Sequence, residues 1–274
     1  MTQVPSGSPR CHHLWLAERV ALGPHLIRLW LRGEALALLP ADCAGAHVKL
    51  MFPQPGEDEP QLPHWDGQGM RWADPTAKPW VRTYTIAAFD GQRLAIDFVR
   101  HTSPGPAANW AAHAPVGARL GFGIPGPALP WLALERYQLL GGDLTALPML
   151  SALLARLPQR ARGEAWISVP SEADRQPLVA PPGIRLHWLT DTSPAQSAWS
   201  QALTQCAAPG EPVCVTLAGE AGALQQARRH LKGLGLIARP HSYTIPFWQL
   251  AHSEEGFHAE RHRLMDAALA EDLV

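Results

Sequence analysis

The chain lacks several features that would each define a class of protein. No apolar run approaches the roughly 20 residues that a transmembrane helix needs, and the first residues do not join a basic start to an apolar stretch. We therefore expect neither membrane insertion nor a signal peptide. Only 17% of the 274 residues are charged and the formal net charge is −1, so no long-range field draws the protein to nucleic acid.

Cysteine is scarce and scattered. Cys11, Cys43, Cys206 and Cys214 form no C-x-x-C pair, which gives an iron–sulfur cluster or a zinc ribbon little support. Free thiols in a reducing compartment are the default for such a chain, and we expect a cytoplasmic protein with no structural metal.

Apolar residues, proline and glycine are plentiful. Hydrophobic residues make up 46% of the chain, and its 27 prolines and 23 glycines indicate many turns between short elements. A chain of this length forms one large domain or two smaller ones.

The first half of the chain reads as short strands. Alternating stretches are joined by Gly/Pro turns and by an Asp-Gly hairpin signal at Asp90, and one brief helix begins near Ala107. Residues 53–80 form a long excursion rich in Pro, Gly and charge, which indicates a functional or a mobile loop. Short strands joined by turns, with a single brief helix, predict an antiparallel barrel up to about residue 130. The strands are "HLIRLWLRG", "AHVKLMF", "VRTYTIAAF", "RLAIDFVRH" and "ARLGFGIPG".

The second half alternates continuous apolar strands with helical segments. This alternation predicts parallel pairing in a nucleotide-binding α/β domain. We therefore expect a β-barrel plus α/β fold, with domains at residues 1–130 and 131–250 and a C-terminal helical extension over 251–274. The strands are "RYQLLGGD", "EAWISVP", "GIRLHWLT" and "PVCVTLAGE".

The stretch "VRTYTIAAFD" combines a guanidinium, a phenol and a hydroxyl at Arg82, Tyr84 and Thr85. A guanidinium fork suits phosphate oxygens, and a phenol offers a flat apolar face with a polar tip. The pattern indicates a ligand with an anionic part and a flat aromatic part. A solvated strand face is the alternative.

Two further segments have the chemistry of anion sites. Gly105 allows close approach to the backbone, and the helix that follows would aim its N–H groups at a phosphate. "GGDLTALP" places Asp143, Thr145 and Ala146 between a strand and a helix, in the crevice expected for a nicotinamide nucleotide, although the G-x-G-x-x-G fingerprint is absent.

These motifs, in this order, resemble the ferredoxin–NADP reductase superfamily, and more closely its siderophore-interacting protein family of ferric-siderophore reductases. The resemblance spans the chain from about residue 15 to its end. It rests on "HVKLMFP", "RTYTIAAFD", "IDFVRHTSPGPAANWA", "GGDLTALPMLSALLARLP", "VPSEADRQPL", "LAGE" and "FWQLAHSEEGFHAERH".

The resemblance implies a six-stranded barrel that holds FAD and a second domain that holds NADH or NADPH. It implies that Arg82 pairs with the flavin diphosphate, that Tyr84 packs on the isoalloxazine, and that Thr85 bonds the polar edge of the ring. Asp97, Phe98 and Val99 are implied to line the ring or the adenine. The further cofactor contacts implied are His101, Thr102, Gly105, Pro106, Ala107, Asp143, Thr145, Ala146, Glu220 and Trp248.

Some of these residues have simpler interpretations. His101 is equally a surface or core histidine, Glu220 equally an acid at a helix N-terminus, and Trp110 is better explained by helix packing. In the tail, Glu254, His258 and His262 have helical spacing that could bind a metal, but a solvated face with Glu–His pairs explains it better.

The implied activity is reduction of Fe(III) in a ferric siderophore or another iron chelate, by electrons that pass from NAD(P)H through FAD. No protein general acid is required, so we assign no catalytic residue. Lys49, Arg100 and His252 are the implied substrate-binding residues. We expect NADH rather than NADPH, because Glu172 and Asp174 outnumber Arg175 where the adenosine ribose would lie.

The sequence departs from the family pattern at Leu144, Ala128 and Gln249, where a glutamate and two arginines are usual. We therefore expect a weaker or relocated anion site. Three alternatives stay open: ferredoxin as the donor, a general NAD(P)H:flavin or quinone oxidoreductase, and a non-catalytic binding module. We expect a monomer.

Overall fold

The computed structural model describes residues 10–66, 68–101, 105–191, 197–238 and 240–250. Its contacts divide the chain into two compact units, Met1–Ala128 and Leu129–Val274. The predicted C-terminal helix lies outside the described residues, and so do Thr102, His252, Glu254, His258 and His262.

The first unit is a closed antiparallel barrel of six strands in the order β1-β2-β7-β6-β3-β8. Pairing of β1 with β8, from Cys11 opposite Gly123 to Trp15 opposite Arg119, closes it. Closure removes exposed strand edges. The strands are β1 Cys11–Ala21, β2 Leu26–Arg32, β3 His47–Phe52, β6 Trp80–Phe89, β7 Leu94–Val99 and β8 Arg119–Gly123.

Alternating apolar side chains fill the barrel. On β1 and β2, Leu14, Leu16, Leu29 and Leu31 are fully buried, as strands with one face in a core require. Helix α1, Pro106–His113, packs on the same core through Ala107 and Ala111 and through Trp110, whose ring lies edge-on to Phe52 at 5.6 Å. The packing role that the sequence favoured for Trp110 is therefore confirmed.

The excursion between β3 and β6 is an organised loop. A small hairpin, β4 His64–Trp65 with β5 Met70–Arg71, is held by Asp66, and a 3-10 turn at Pro75–Ala77 is capped by Asp74. Gln61 exchanges two bonds with the backbone of Asp74, at 2.9 and 3.1 Å. The loop is therefore shaped by its own polar side chains.

The second unit is a five-stranded parallel sheet in the order β11-β10-β9-β12-β13. The strands are β9 Tyr137–Gly142, β10 Arg162–Val169, β11 Gly183–Thr190, β12 Val213–Glu220 and β13 Ser242–Trp248. The helices are α2 Leu147–Arg156, α3 Ala198–Leu203 and α4 Ala221–Gly233.

β9 lies at the centre of this sheet. From β9 the chain adds β10 and β11 on one side and then β12 and β13 on the other. Such a change of side creates a crevice at the carboxyl ends of the strands, where α/β folds bind nucleotides. An antiparallel barrel followed by a parallel α/β sheet is thus confirmed. Strand β13 has no counterpart in the sequence-based prediction, since Pro246 interrupts its pattern. No helix in the described part of the chain is long and apolar enough to cross a bilayer.

Candidate functional site

The three side chains predicted to meet a ligand on β6 are divided between its two faces. Arg82 and Tyr84 stand opposite Leu50 and Val48 of β3, both core residues, whereas Thr85 stands opposite His47 on the other face. Arg82 is half-buried and donates to the carbonyl of Val81 at 2.9 Å.

Tyr84 sits at the margin of the barrel core. Its ring is half-buried and lies 4.4 Å from Phe98, centroid to centroid, and 6.3 Å from Phe52. Phe98 itself is 1% exposed and belongs to the core, so it supports Tyr84 from behind. The phenol is thereby held in a fixed orientation, as a ring that stacks on a planar ligand should be.

Asp97 engages a residue that the sequence did not single out. Both of its carboxylate oxygens accept from Arg28, at 2.7 and 2.9 Å, in a bidentate pair between facing residues of β2 and β7. The pair raises the pKa of Arg28, and the Asp97 side chain is only 4% exposed. Val99 is half-buried at the end of β7. The predicted contacts of Asp97, Phe98 and Val99 with a flavin stay predictions.

The amino end of α1 has the donors that a diphosphate requires. Gly105 is the N-cap and provides no side chain, and no described atom lies within 4 Å of the position that a Cβ would take there. Its φ of −70° is ordinary for any residue, so the protein's own conformation does not demand glycine. The backbone N–H groups of the first turn of α1 have no acceptor within the helix, as at any helix start, and such a donor set fits phosphate oxygens.

A cleft of about 950 Å³ opens beside this helix. It is lined by Pro106, Asn109 and Trp110 of α1, by Phe52 and by Trp80. Its size falls in the range of small-molecule and cofactor sites, and its aromatic walls suit a planar group. Its lining also includes the acids Glu57, Asp58 and Glu59, and neither Arg82 nor Tyr84 is among the residues that line it. The cleft therefore adds aromatic surface beside the helix end, whereas the cation and the phenol predicted to hold a flavin lie outside its lining.

The predicted substrate-binding cations lie on the surface. Lys49 is exposed, and its Nζ donates to Thr83 Oγ1 on the face of the β3–β6 pair that also carries Thr85. Arg100 and His101 follow β7 and are exposed. Lys49 therefore pairs with Thr83 on the face that also carries the buried Thr85, and Arg100 and His101 lie at the end of a neighbouring strand.

In the second unit, the two glycines at the end of β9 are explained by packing within the protein. A Cβ on Gly141 would lie 2.7 Å from the Trp199 ring, and one on Gly142 would lie 2.6 Å from the Ala146 Cβ and 2.8 Å from the Ala218 carbonyl. Glycine is needed here for close helix–strand packing, one of the uses of glycine in nucleotide-binding folds. Ala146 is the N-cap of α2 and is fully buried.

Asp143 is buried at the same edge and is only 7% exposed. Its Oδ1 accepts from the backbone N–H and the hydroxyl of Thr145. Its Oδ2 accepts from the backbone N–H of Glu220 and from the indole N–H of Trp248, each at 2.9 Å. Burial raises the pKa of Asp143, while these donors act to lower it.

Glu220 caps helix α4. Its carboxylate accepts from the N–H of Ala223 at 2.9 Å and from the N–H of Leu250 at 3.3 Å. The alternative interpretation of this residue, an acid at a helix N-terminus, is therefore observed, and its contact with a nicotinamide stays a prediction. Gly219, just before it, has a φ of +138°.

One of the two acids predicted to lie near an adenosine ribose is placed differently from expectation. Asp174 is fully buried and cannot face a nucleotide, so the acidic charge expected from it is absent at the surface. Glu172 is 63% exposed in its side chain and accepts from Arg175 at 2.6 Å and from Thr190 at 2.7 Å. Arg175 is thus already paired with an acid.

Sequence reasoning missed Arg28 and the pairing of Trp248 with Asp143. No local signal indicates Arg28, which faces Asp97 only once β2 pairs with β7. No local signal links Asp143 with Trp248, which are 105 residues apart. Among the described residues, no group of three or more His, Cys, Asp or Glu could hold a metal ion.

Comparison with known proteins agrees with this arrangement over both units. A family model described as a siderophore-interacting FAD-binding domain matches residues 16–129, and one described as siderophore-interacting protein matches residues 135–251. The ferric vibriobactin reductase ViuB of Vibrio cholerae is 34% identical over 247 residues, 88% of this chain and 90% of that protein.

Two solved structures are similar over most of their length. The siderophore-interacting protein SipS from Aeromonas hydrophila has a TM-score of 0.81 at 33% identity, over 94% of this chain and 99% of that one. A siderophore utilization protein from T. fusca has a TM-score of 0.76 at 32% identity, over 89% of this chain and 94% of that one.

Proposed function

The chain belongs to the siderophore-interacting protein family, and from that premise we propose that it is an FAD-containing reductase of ferric siderophores or related iron chelates. One observation in the structure carries the proposal. The barrel combines Arg82, the firmly packed phenol of Tyr84 and the open amino end of α1 at Gly105, a donor set matched to a flavin dinucleotide.

When bound, FAD takes up two electrons as a hydride and releases them one at a time. The residues of the chain bind and orient the cofactor and the substrates. Arg82 and the N–H groups of α1 hold the diphosphate, Tyr84 supports the isoalloxazine ring, and Thr85 bonds its polar edge. Since none of these groups needs to transfer a proton to iron, binding geometry controls the rate.

The substrate is Fe(III) held by hard, anionic oxygen ligands. One electron converts it to Fe(II), which such ligands hold more weakly, and one hydride therefore serves two ferric ions. Lys49 is the exposed cation on the Thr85 face and is the first residue that we assign to anion recognition. Arg100 and His101 assist it.

The nicotinamide nucleotide binds at the carboxyl edge of the parallel sheet, and we propose NADH as the donor. Glu172 lies just after β10, the position where an acid favours a free ribose 2′-hydroxyl. Arg175, the one cation that could favour a 2′-phosphate there, is engaged by Glu172. Ferredoxin is the competing donor. That the protein is cytoplasmic and that it is a monomer both stay predictions.

The experiment is an anaerobic stopped-flow measurement in two stages. The purified yellow protein is first mixed with NADH or NADPH, and the loss of flavin absorbance is followed. The reduced protein is then mixed with a panel of ferric chelates. We expect faster bleaching by NADH and rapid reoxidation by ferric siderophores.

Three outcomes would redirect the proposal. No bleaching by either nucleotide would favour ferredoxin as donor or a non-catalytic binding module. Reoxidation by quinones or free flavin but by no ferric chelate would favour a general oxidoreductase. A preference for NADPH that disappears in Arg175→Ala would reverse the choice of donor and identify the residue responsible.

A further inference from the structure

The carboxylate of Asp143 joins the carboxyl ends of three neighbouring strands. Asp143 itself directly follows β9, Glu220 ends β12, and Trp248 ends β13. The bonds to Glu220 and Trp248 cross 77 and 105 residues of sequence. Because ligands of parallel sheets bind just beyond these strand ends, this carboxylate lies directly beneath the proposed nucleotide site.

All of its hydrogen-bonding capacity is used internally. An ionised carboxylate has about four lone-pair sites, and here each oxygen accepts two bonds. Both donors to Oδ2 are N–H groups, which cannot accept, so Oδ2 is held as an acceptor, whereas the Thr145 hydroxyl beside Oδ1 can either donate or accept. The side chain is 7% exposed, which leaves little surface for a ligand.

The neighbouring backbone is shaped around this carboxylate. Gly219 has a φ of +138°, and a Cβ there would lie 2.5 Å from Asp143 Oδ2. Glu220, whose N–H is bound by Asp143, in turn binds the N–H of Leu250 just after β13. The turn from β12 into α4 and the exit of β13 are therefore held relative to a single buried charge.

We propose that Asp143 is a positioning residue for nucleotide oxidation, which acts by holding the Trp248 indole and the Gly219–Glu220 turn and does not touch the nucleotide. The inference rests on the proposed function in so far as a nicotinamide nucleotide is the ligand at this edge. It replaces the prediction that Asp143 contacts the cofactor directly.

The test compares Asp143→Asn, Trp248→Phe and the double variant with the wild-type holoprotein. Asparagine keeps the shape but turns one acceptor into a donor, and phenylalanine keeps a ring but removes the indole N–H. Asp191→Asn is the matched control. Asp191 follows β11 at the same edge and accepts from Ser168 and Ala198 instead, and its pKa is raised by burial and, to a lesser degree, by the charge of Asp143. It therefore shares the electrostatic surroundings of Asp143 but makes no bond to Trp248 in the described structure.

The first measurement is independent of activity. The indole N–H of Trp248 is identified among the 11 tryptophans by its disappearance from the ¹H–¹⁵N spectrum of Trp248→Phe. We expect Asp143→Asn to shift this resonance upfield, because a charge-assisted hydrogen bond is lost, and Asp191→Asn to leave it unchanged.

The second measurement separates the two half-reactions. Asp143→Asn should slow bleaching at saturating NADH by about tenfold to a hundredfold, the effect typical of a small misplacement near a reacting centre. Flavin content and reoxidation by a ferric chelate should stay at wild-type values. In the Trp248→Phe background, Asp143→Asn should cause a smaller loss, because the bond to the indole is already absent and only the bond to the Glu220 N–H remains to be weakened.

The proposal is overturned if the indole resonance does not move, if the losses in the double variant multiply independently, or if Asp191→Asn slows bleaching equally. If neither nucleotide bleaches the wild-type protein, the choice of donor is wrong, and the indole resonance still decides whether Asp143 positions Trp248. The two ideas can therefore fail separately.

Discussion

Replacing Gly219 by alanine should destabilise the second unit strongly, and the structure allows the size of the effect to be worked out. The residue has a φ of +138°, and the new Cβ would lie 2.5 Å from Asp143 Oδ2 and 2.8 Å from its Cγ. An L-residue in such a conformation costs about 1–3 kcal/mol. The carboxylate must also move, which weakens at least one bond to a charged acceptor, worth roughly 1.5–3 kcal/mol.

We therefore expect Gly219→Ala to lower the free energy of unfolding of this unit by about 3–5 kcal/mol, or its Tm by about 10 °C. The matched control is Gly210→Ala in the same unit. Gly210 has a φ of +74°, but no atom lies within 4 Å of its Cβ position. That variant measures the cost of a left-handed conformation without a new contact and should cost only about 1–2 kcal/mol.

The assay is thermal unfolding of the holoprotein followed by far-UV circular dichroism, with amide exchange to assign the loss to the second unit. Equal Tm values for the two variants would refute the reasoning, since the contact with the carboxylate would then contribute nothing. An unchanged Trp248 indole resonance in Gly219→Ala would contradict it as well, because Asp143 is the only route by which we expect the new methyl group to disturb that indole.

Three further outcomes are expected. Arg82→Ala should purify with less FAD, because the diphosphate loses a charge-assisted partner worth roughly 1.5–3 kcal/mol. Arg82→Lys keeps the charge but loses the forked guanidinium, so its FAD content should fall between those of Arg82→Ala and the wild type. Full FAD occupancy in Arg82→Ala would refute the assigned role. Lys49→Ala should slow reoxidation of the flavin by an anionic ferric chelate and not by a neutral one, and the difference should shrink as salt is added. Lys78→Ala removes an exposed lysine elsewhere in the same unit and should leave the rates with the two chelates unchanged. Asp66 has its pKa lowered to about 2 by the N–H groups of its turn and by a neighbouring arginine. Because that pKa is depressed, the hairpin should keep its stability above the ordinary pKa near 3.8 and lose it as the pH falls toward 2, which amide exchange would detect; protection that persists at pH 2 would contradict this.

Local patterns in the sequence were sufficient for the architecture. The period of two in "HLIRLWLRG" and "VRTYTIAAF" gave β2 and β6 within two residues of their observed ends. The Asp-Gly turn at Asp90 is observed with Gly91 at a φ of +88° and the Asp90 side chain bonded to two N–H groups that follow. Periodicity and turn chemistry act over a few residues, so they can be read without knowing the fold.

The candidate site was predicted only in part. The grouping of Arg82, Tyr84 and Thr85 is visible because the residues are adjacent in sequence. The pairing of Asp97 with Arg28 is not, since its partners are 69 residues apart and meet only when β2 lies beside β7. Two interpretations of Glu220 were equally consistent with its sequence, and the observed bond to Ala223 established the helix cap.

The sequence by itself determined the change from barrel to parallel sheet and the chemistry of the β6 motif, because each depends on neighbours along the chain. Only the tertiary structure decided which carboxylates remain available to a ligand. Asp143, Asp97 and Asp174 are alike in sequence as acids near strand ends, yet the fold buries all three and bonds the first two to residues far along the chain. A buried charge requires partners in fixed positions, and those positions exist only once the strands have assembled.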